Sequence, residues 1–388
     1  MRVLVASDSF KGSASCVDAT AAIARGLKRG FPSLTMFERP LADGGEGTLD
    51  AILCARGGCR RTSLVCDPLG REIRAQWVVL ADGKTAVIEL AQAAGLTLLG
   101  DDELCPARAS TFGVGQLMSE ALDAGCTRII LAVGGSATVD GGAGLLTALG
   151  ARLSDDEGQP IAPGGLGLEA LAHIDASLAQ ERLADVDLMV ACDVDNPLLG
   201  PHGAAMVFGP QKGANRALCR RLDRALAHYA RCLARDVGTE VRDVPRTGAA
   251  GGTAGGLRAT LGARLVGGAQ LVMELVGFEQ AVRTSHVIVT GEGRVDAQTL
   301  DGKMIRAVAG AAAGKPLVVL AGQLGPGHER LYDHGVSAML AIVDRPMSLE
   351  EAMTGVLALL ERTGERCGRF LALAGRLPQG EKVRSCRS

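Results

Sequence analysis

Short apolar runs and amphipathic stretches take turns along most of the chain. Arg2 to Ala6 is an apolar, β-branched run; after a polar loop, Val17, Ala21, Ala24 and Leu27 recur on one helical face. Thr35 to Arg39 reads as a second strand, and a short helix then runs to Cys54. From about Thr62 the period changes. Glu72 to Val79 alternates, with Ile73, Ala75, Trp77 and Val79 on one side, between the turn sequences Asp67-Pro68-Leu69-Gly70 and Ala81-Asp82-Gly83-Lys84. That pattern predicts antiparallel hairpins. Alternation of helix and strand resumes with a helix near Ser110 to Asp123, strands Arg128 to Val133 and Val186 to Cys192, and a long helix Asn215 to Arg235. Buried-type strands follow at His286 to Thr290, Leu317 to Ala321 and Ser337 to Ile342.

The strand–helix style of the first 70 residues therefore returns in the last third. The expected fold is α/β with two domains. A doubly wound parallel-sheet domain, residues 1–70 plus 282–375, is interrupted by an inserted α/β domain with antiparallel hairpins at 71–281. Residues 376–388 read as a polar, basic tail.

Composition narrows the function classes. The 388 residues carry 41 Lys and Arg against 43 Asp and Glu, a net charge of −2, so there is no electrostatic case for nucleic acid or an anionic membrane. Aromatic residues make up 3%, too few for a base-stacking platform. No run reaches the length of a membrane span. Eleven cysteines occur without a C-x-x-C, and the six histidines form no metal-binding pair, which gives no zinc pattern. Cys16, Cys54, Cys126, Cys192 and Cys219 sit in apolar stretches and read as core residues. A reduced, cytoplasmic, soluble protein is expected.

Candidate chemistry follows the strands, because open parallel sheets bind ligands at their carboxyl ends. The segments there are Ser7-Asp8-Ser9-Phe10-Lys11, Asp43-Gly44-Gly45-Glu46-Gly47, Gly134-Gly135-Ser136-Ala137-Thr138, Asp193-Val194-Asp195 and Gly291-Glu292-Gly293-Arg294-Val295-Asp296, with Asp301-Gly302-Lys303 close behind. Each mixes small residues with a carboxylate or a hydroxyl, and two supply lysines. The combination suits phosphoryl transfer: glycine-rich backbone for phosphate oxygens, lysines for charge, and carboxylates for Mg²⁺ or for a hydroxyl proton. No P-loop is present, since that motif would need glycine at Ala297 and Ser or Thr at Met304. Gly165-Leu166-Gly167-Leu168-Glu169-Ala170 lacks the preceding strand that a dinucleotide fingerprint needs.

Six stretches, "SDSFKGSAS", "PLADGGEGTLDA", "VGGSATVDGGAG", "ACDVDNPLLGPHGAAMVFGPQKGA", "GGLRATLGA" and "VTGEGRVDAQTLDGK", together resemble the bacterial type of the glycerate kinase family. The resemblance implies a flavodoxin-like domain with a second domain inserted in it and a cleft between them. It also implies ATP and D-glycerate as substrates and 2-phosphoglycerate as product. Ser7 and Val139 depart from the family pattern, which usually has proline and asparagine there. A kinase of the same fold that gives 3-phosphoglycerate, or acts on a related hydroxy acid, is the alternative. A non-catalytic acid-binding protein would have little use for so many carboxylates around an anion.

Residue roles follow from these segments. Asp193, directly after an apolar strand, is the first choice for the base, and Asp296, after a flexible Gly-Glu-Gly link, is the second. Lys11 and Lys303 neutralise phosphoryl charge. Asp8, Ser9, Gly134, Gly135, Ser136, Ala137, Thr138 and Arg294 bind substrate or phosphate, and Asp43, Glu46 and Asp195 serve Mg²⁺. Lys212, after Gly209-Pro210-Gln211, reads by default as a solvated loop lysine. The partners expected are D-glycerate and ATP, with homo-oligomerisation left open.

Overall fold

The computed structural model describes residues 1–300 and 304–374. Lys303 and the tail 376–388 lie outside the described residues. The strands are β1 (Arg2–Val5), β2 (Thr35–Glu38), β3 (Gly58–Cys66), β4 (Glu72–Leu80), β5 (Thr85–Glu89), β6 (Arg128–Ala132), β7 (Arg152–Ser154), β8 (His173–Asp175), β9 (Asp187–Ala191), β10 (Arg264–Val266), β11 (Val287–Val295), β12 (Leu317–Leu324) and β13 (Ala338–Ala341). They divide between two compact units, one of Met1–Pro40 with 277–300 and 305–374, the other of Leu41–Val276.

The first unit holds a five-stranded parallel sheet in the order β13-β12-β11-β1-β2. Numbered within the unit, that order is 2-1-3-4-5 read from β2, which is the flavodoxin-like arrangement. Val3 pairs with both Val287 and Met36. Val3, Val5, Val289 and Leu320 share a core with Ile23 and Leu27 of the helix Cys16–Gly30 and Leu359 and Leu360 of the helix Val356–Ala374. The first of these helices starts at Ser15, whose hydroxyl accepts the Asp18 amide (3.1 Å). The strand order reverses between β1 and β11, so the segments after these two strands meet at the switch point where such sheets bind ligands.

The second unit is built on a six-stranded mixed sheet, β10-β9-β6-β5-β4-β3. β5, β6, β9 and β10 are parallel, and β3 and β4 extend the sheet as an antiparallel hairpin. The predicted alternation of β4 holds as far as Trp77, with Ala75 and Trp77 buried and Arg74 and Gln76 exposed, after which Val78, Val79 and Leu80 are all buried; the Trp77 indole donates to Ser63 Oγ (3.0 Å). The helix Arg216–Asp236 covers the core with Leu222, Leu226, Tyr229 and Leu233, after an Asn215 cap that accepts the Leu218 amide (2.9 Å).

Three local expectations change. Residues 41–70 fall in the second unit rather than the first: β3 pairs along its whole length with β4, and Gly134 donates to the Gly44 carbonyl (3.1 Å). Gly291 to Val295 are strand, not a flexible link, because Arg294 and Val295 continue the ladder opposite Gln323 and Leu324. Cys54 is exposed, whereas Cys16, Cys126, Cys192 and Cys219 are buried as expected. No helix among the described residues is long and apolar enough to cross a membrane.

Candidate active site

In the second unit the parallel strands deliver their carboxyl ends to one edge. β5 ends in Glu89, β6 leads into Gly134–Thr138, β9 into Asp193, and β10 into Gly267 and the helix Gly268–Leu275. The Asp43–Gly47 loop packs onto the same edge without room for side chains. A Cβ on Gly134 would lie 2.5 Å from Gly45 Cα, and one on Gly268 would lie 2.4 Å from the Asp43 carbonyl oxygen. These glycines are required by close backbone approach.

Asp193 lies against this seam. Its Oδ2 accepts the Ala269 amide (3.0 Å) at the start of the β10 helix. Burial pushes its carboxyl up to about 6; the charge of Asp43 adds to the rise, and the Ala269 and Gly268 amides and Arg246 oppose it. Asp43 itself is exposed and accepts the Gly45 amide (3.1 Å). Glu46, the next residue, is exposed as well. Asp195 is committed to an ion pair with Arg246, whose Nε lies 2.9 Å from its Oδ1. Arg246 holds a left-handed backbone conformation (φ 73°), and its amide donates to the Asp195 carbonyl.

The predicted phosphate loop is pinned from several sides. Gly134 N donates to Gly44 O, Ala137 N to Ala94 O (2.8 Å), and Gly135 O accepts from Leu96 N (2.9 Å). Ser136, Ala137 and Thr138 are buried. Lys212 reverses its expectation: it is 2% exposed, and its ammonium donates to Ser136 Oγ and the Thr138 carbonyl, each at 2.7 Å.

Glu89 was not anticipated either. It is buried, accepts the Leu49 amide (2.9 Å), and is bonded by the Gly47 amide as well. Burial pushes its carboxyl up to about 7. It caps the helix Thr48–Arg56, whose own N-cap is a glycine without a side chain to do so. The sequence signal for Glu89 is a carboxylate ending the apolar strand Thr85–Glu89. For Lys212 it is a lysine boxed between Gly209 and Gly213.

The first unit gathers a second set at its switch point. Asp8 N donates to Gly291 O (3.0 Å), and Ser7 Oγ bridges Asp8 O and Gly291 O. The Ser9 amide donates to Asp8 Oδ1 (2.6 Å). A Cβ on Gly293 would stand 3.6 Å from Lys11 N, so the Lys11 backbone runs beside β11, with its side chain exposed. Arg294 Nε donates to Asp296 Oδ2 (2.9 Å), and Asp296 N donates to Thr299 Oγ1 (3.1 Å). The structure thus brings Asp8, Ser9 and Lys11 beside Arg294 and Asp296 in one unit, and Asp43, Gly134–Thr138 and Asp193 together in the other. Lys303 falls outside the described residues.

The sequence profile of the Glycerate kinase family matches residues 3–372. The chain is 46% identical over 362 residues to a glycerate kinase of Halalkalibacterium halodurans, covering 93% of this chain and 95% of the relative. It is 40% identical to a protein named glycerate 2-kinase in Escherichia coli, covering 97% and 99%. The chain belongs to the glycerate kinase family. As a member of that family it is a phosphotransferase. The crystal structure of a candidate glycerate kinase 2 from Salmonella typhimurium LT2 superposes with a TM-score of 0.86 at 40% identity, over 97% of this chain and all of that one. The α/β architecture described above is therefore the architecture of a solved relative within the family.

The family's chemistry sets a test for Mg²⁺. Among the described residues no group of three or more His, Cys, Asp and Glu is gathered tightly enough to hold a metal ion alone. A nucleotide-borne Mg²⁺ needs less, because it keeps waters and phosphate oxygens and takes one or two carboxylates. Asp43 and Glu46, both exposed on one loop, fit that requirement and leave Asp193 free of the metal.

Proposed function

We propose that this chain transfers the γ-phosphoryl group of ATP to the 2-hydroxyl of D-glycerate, giving 2-phosphoglycerate and ADP. The supporting observation is Asp193: a half-buried carboxylate at the carboxyl end of β9, held by the Ala269 amide and raised to about 6. Such a group is ionised at neutral pH and still basic enough to take a hydroxyl proton as the phosphoryl group moves. The Ala269 bond fixes its orientation. The E. coli relative's name, glycerate 2-kinase, supports the 2-phosphate as product.

The remaining roles follow from placement. Asp43 and Glu46 would hold Mg²⁺, which when bound neutralises phosphate charge. Asp195 is better read as the partner of Arg246 than as a metal ligand, since its carboxylate is already paired. Gly134–Thr138 carry the phosphate-facing backbone, and Lys11, Arg294, Asp8 and Ser9 serve the anionic substrates. Asp296 is hydrogen-bonded to Arg294 and sits on a regular strand end, which favours Asp193 as base. Cytoplasmic residence, where ATP is available and thiols stay reduced, belongs to the same reading.

The deciding experiment incubates the protein with D-glycerate and Mg·ATP and follows ADP. The product is then offered to enolase, which dehydrates 2-phosphoglycerate and not its 3-isomer. ADP release with a product that enolase accepts directly is expected; no ADP release, or a product it refuses, overturns the proposal.

A further inference from the structure

Lys212 closes the 3₁₀ turn Pro210–Lys212 and sends its side chain inward. The turn packs closely on a neighbouring segment: a Cβ on the next residue, Gly213, would stand 2.3 Å from the Leu104 carbonyl oxygen. Both acceptors of the ammonium, Ser136 Oγ and Thr138 O, belong to the irregular segment after β6. Beside them Thr138 Oγ1 is buried without a hydrogen-bond partner. Asp140 attracts the lysine from a distance, but its own oxygens are occupied by Thr111 N, Thr111 Oγ1, Gly142 N and Gly144 N.

A buried ammonium is a costly way to fill space. An apolar side chain of similar length would avoid its desolvation, which here pulls Lys212 down to about 7. What the charge adds is directional hold on two atoms of a loop that no sheet or helix shapes. The loop's Gly134 and Ala137 amides are tied to Gly44 and Ala94, and Lys212 secures Ser136 and Thr138 from the interior.

We propose that Lys212 is a positioning residue for phosphoryl transfer: its ammonium fixes the shape of the loop Gly134–Thr138 and so the direction of that loop's backbone donors. The inference rests on the reading that this loop carries phosphate-facing backbone. Lys212 itself needs no contact with substrate, and its effect passes through Ser136 and Thr138.

The test compares wild type, Lys212→Met, Ser136→Ala and the double variant in thermal melts and steady-state kinetics. Wild-type turnover is read first; if it is absent, the functional reading fails, whatever the variants do. With wild type active, Lys212→Met should melt near wild type while kcat drops about 10- to 100-fold, the usual worth of a group that orients a binding group. Ser136→Ala should lower kcat in the same sense. The double variant should lose less than the product of the two single losses, because both act through one contact. A packing role alone would move the melting temperature and leave kcat and KM unchanged. A folded Lys212→Met protein with kcat and KM within about twofold of wild type overturns the proposal. If Lys212→Met fails to fold, Ser136→Ala decides: wild-type kinetics overturn the proposal, and a lowered kcat with an unchanged melt supports it.

Discussion

The Gly134 amide donates to the Gly44 carbonyl across 3.1 Å, tying the loop after β6 to the loop before the helix Thr48–Arg56. The bond is possible because neither partner carries a side chain. Adding one methyl at position 134 would drive it to 2.5 Å from Gly45 Cα, closer than real Cβ atoms come. Gly134→Ala should therefore cost about 1–3 kcal/mol of stability, as overpacking does elsewhere. Turnover should fall at least tenfold, because the Asp43–Gly47 loop must move. Gly310→Ala is the control: nothing stands within 4 Å of that Cβ, and melting should not fall.

Asp193→Asn keeps size and the Ala269 hydrogen bond but cannot accept a proton. Turnover should fall by roughly 10²- to 10⁴-fold, the usual worth of a general base, with KM for glycerate changed far less. A folded variant within a few-fold of wild type would remove Asp193 from the role and pass it to Asp296.

The same substitution should stabilise the metal-free protein. Asp193 is raised from 3.8 to about 6 on folding, so between those values the folded chain binds more protons than the unfolded one. Its contribution to stability accordingly declines as pH rises through that window. Thermal melts should show no gain for Asp193→Asn at about pH 4 and a gain on the order of 1 kcal/mol at about pH 8. Equal melting temperatures at the higher pH would mean that Asp193 is not strained by its surroundings.

Glu89 offers a prediction about local architecture. Glu89→Ala leaves the Leu49 amide without its acceptor and should cost about 1–3 kcal/mol. Glu89→Gln keeps an acceptor oxygen and should melt much closer to wild type at neutral pH. Hydrogen exchange at Leu49 reads the effect directly: fast in the alanine variant, slow in the glutamine variant.

Excess chelator should abolish phosphoryl transfer, and added Mg²⁺ should restore it. Asp43→Asn should raise the Mg²⁺ concentration needed for half-maximal rate. Full turnover in chelator would exclude Mg²⁺ from the reaction.

The elements were legible where periodicity was strong. The long helix, the β4 alternation and the buried strands of both sheets lie within a few residues of their expected bounds, because an apolar period of 2 or 3.6 leaves few alternatives. Cys54 is exposed although the sequence reads it as core, because a short apolar helix looks alike on all sides from sequence. Gly291 to Val295 read as a loop because of two glycines, yet a ladder with β12 supplies pairing that local propensity does not encode. Glu89 and Lys212 were missed for a related reason. Sequence marks a charged side chain as solvated by default, and only the fold reveals that the Leu49 amide or the Thr138 carbonyl waits for it. Asp193 was legible because a carboxylate at the end of an apolar strand needs no long-range information to be placed.

Val3 in β1 pairs with Val287 in β11, so two neighbouring strands of the first sheet are separated along the sequence by residues Leu41–Val276 of the second unit. On a ribosome adding about 5–20 residues per second, β1 would emerge on the order of tens of seconds before its partner. Every strand of the six-stranded sheet lies within Leu41–Val276 and can find its neighbours during that interval. Vectorial synthesis then favours maturation from the middle outward, and the opening strand is among the last to be secured. Until β11 arrives, β1 and β2 are an exposed apolar pair that a nascent-chain chaperone would have to shelter.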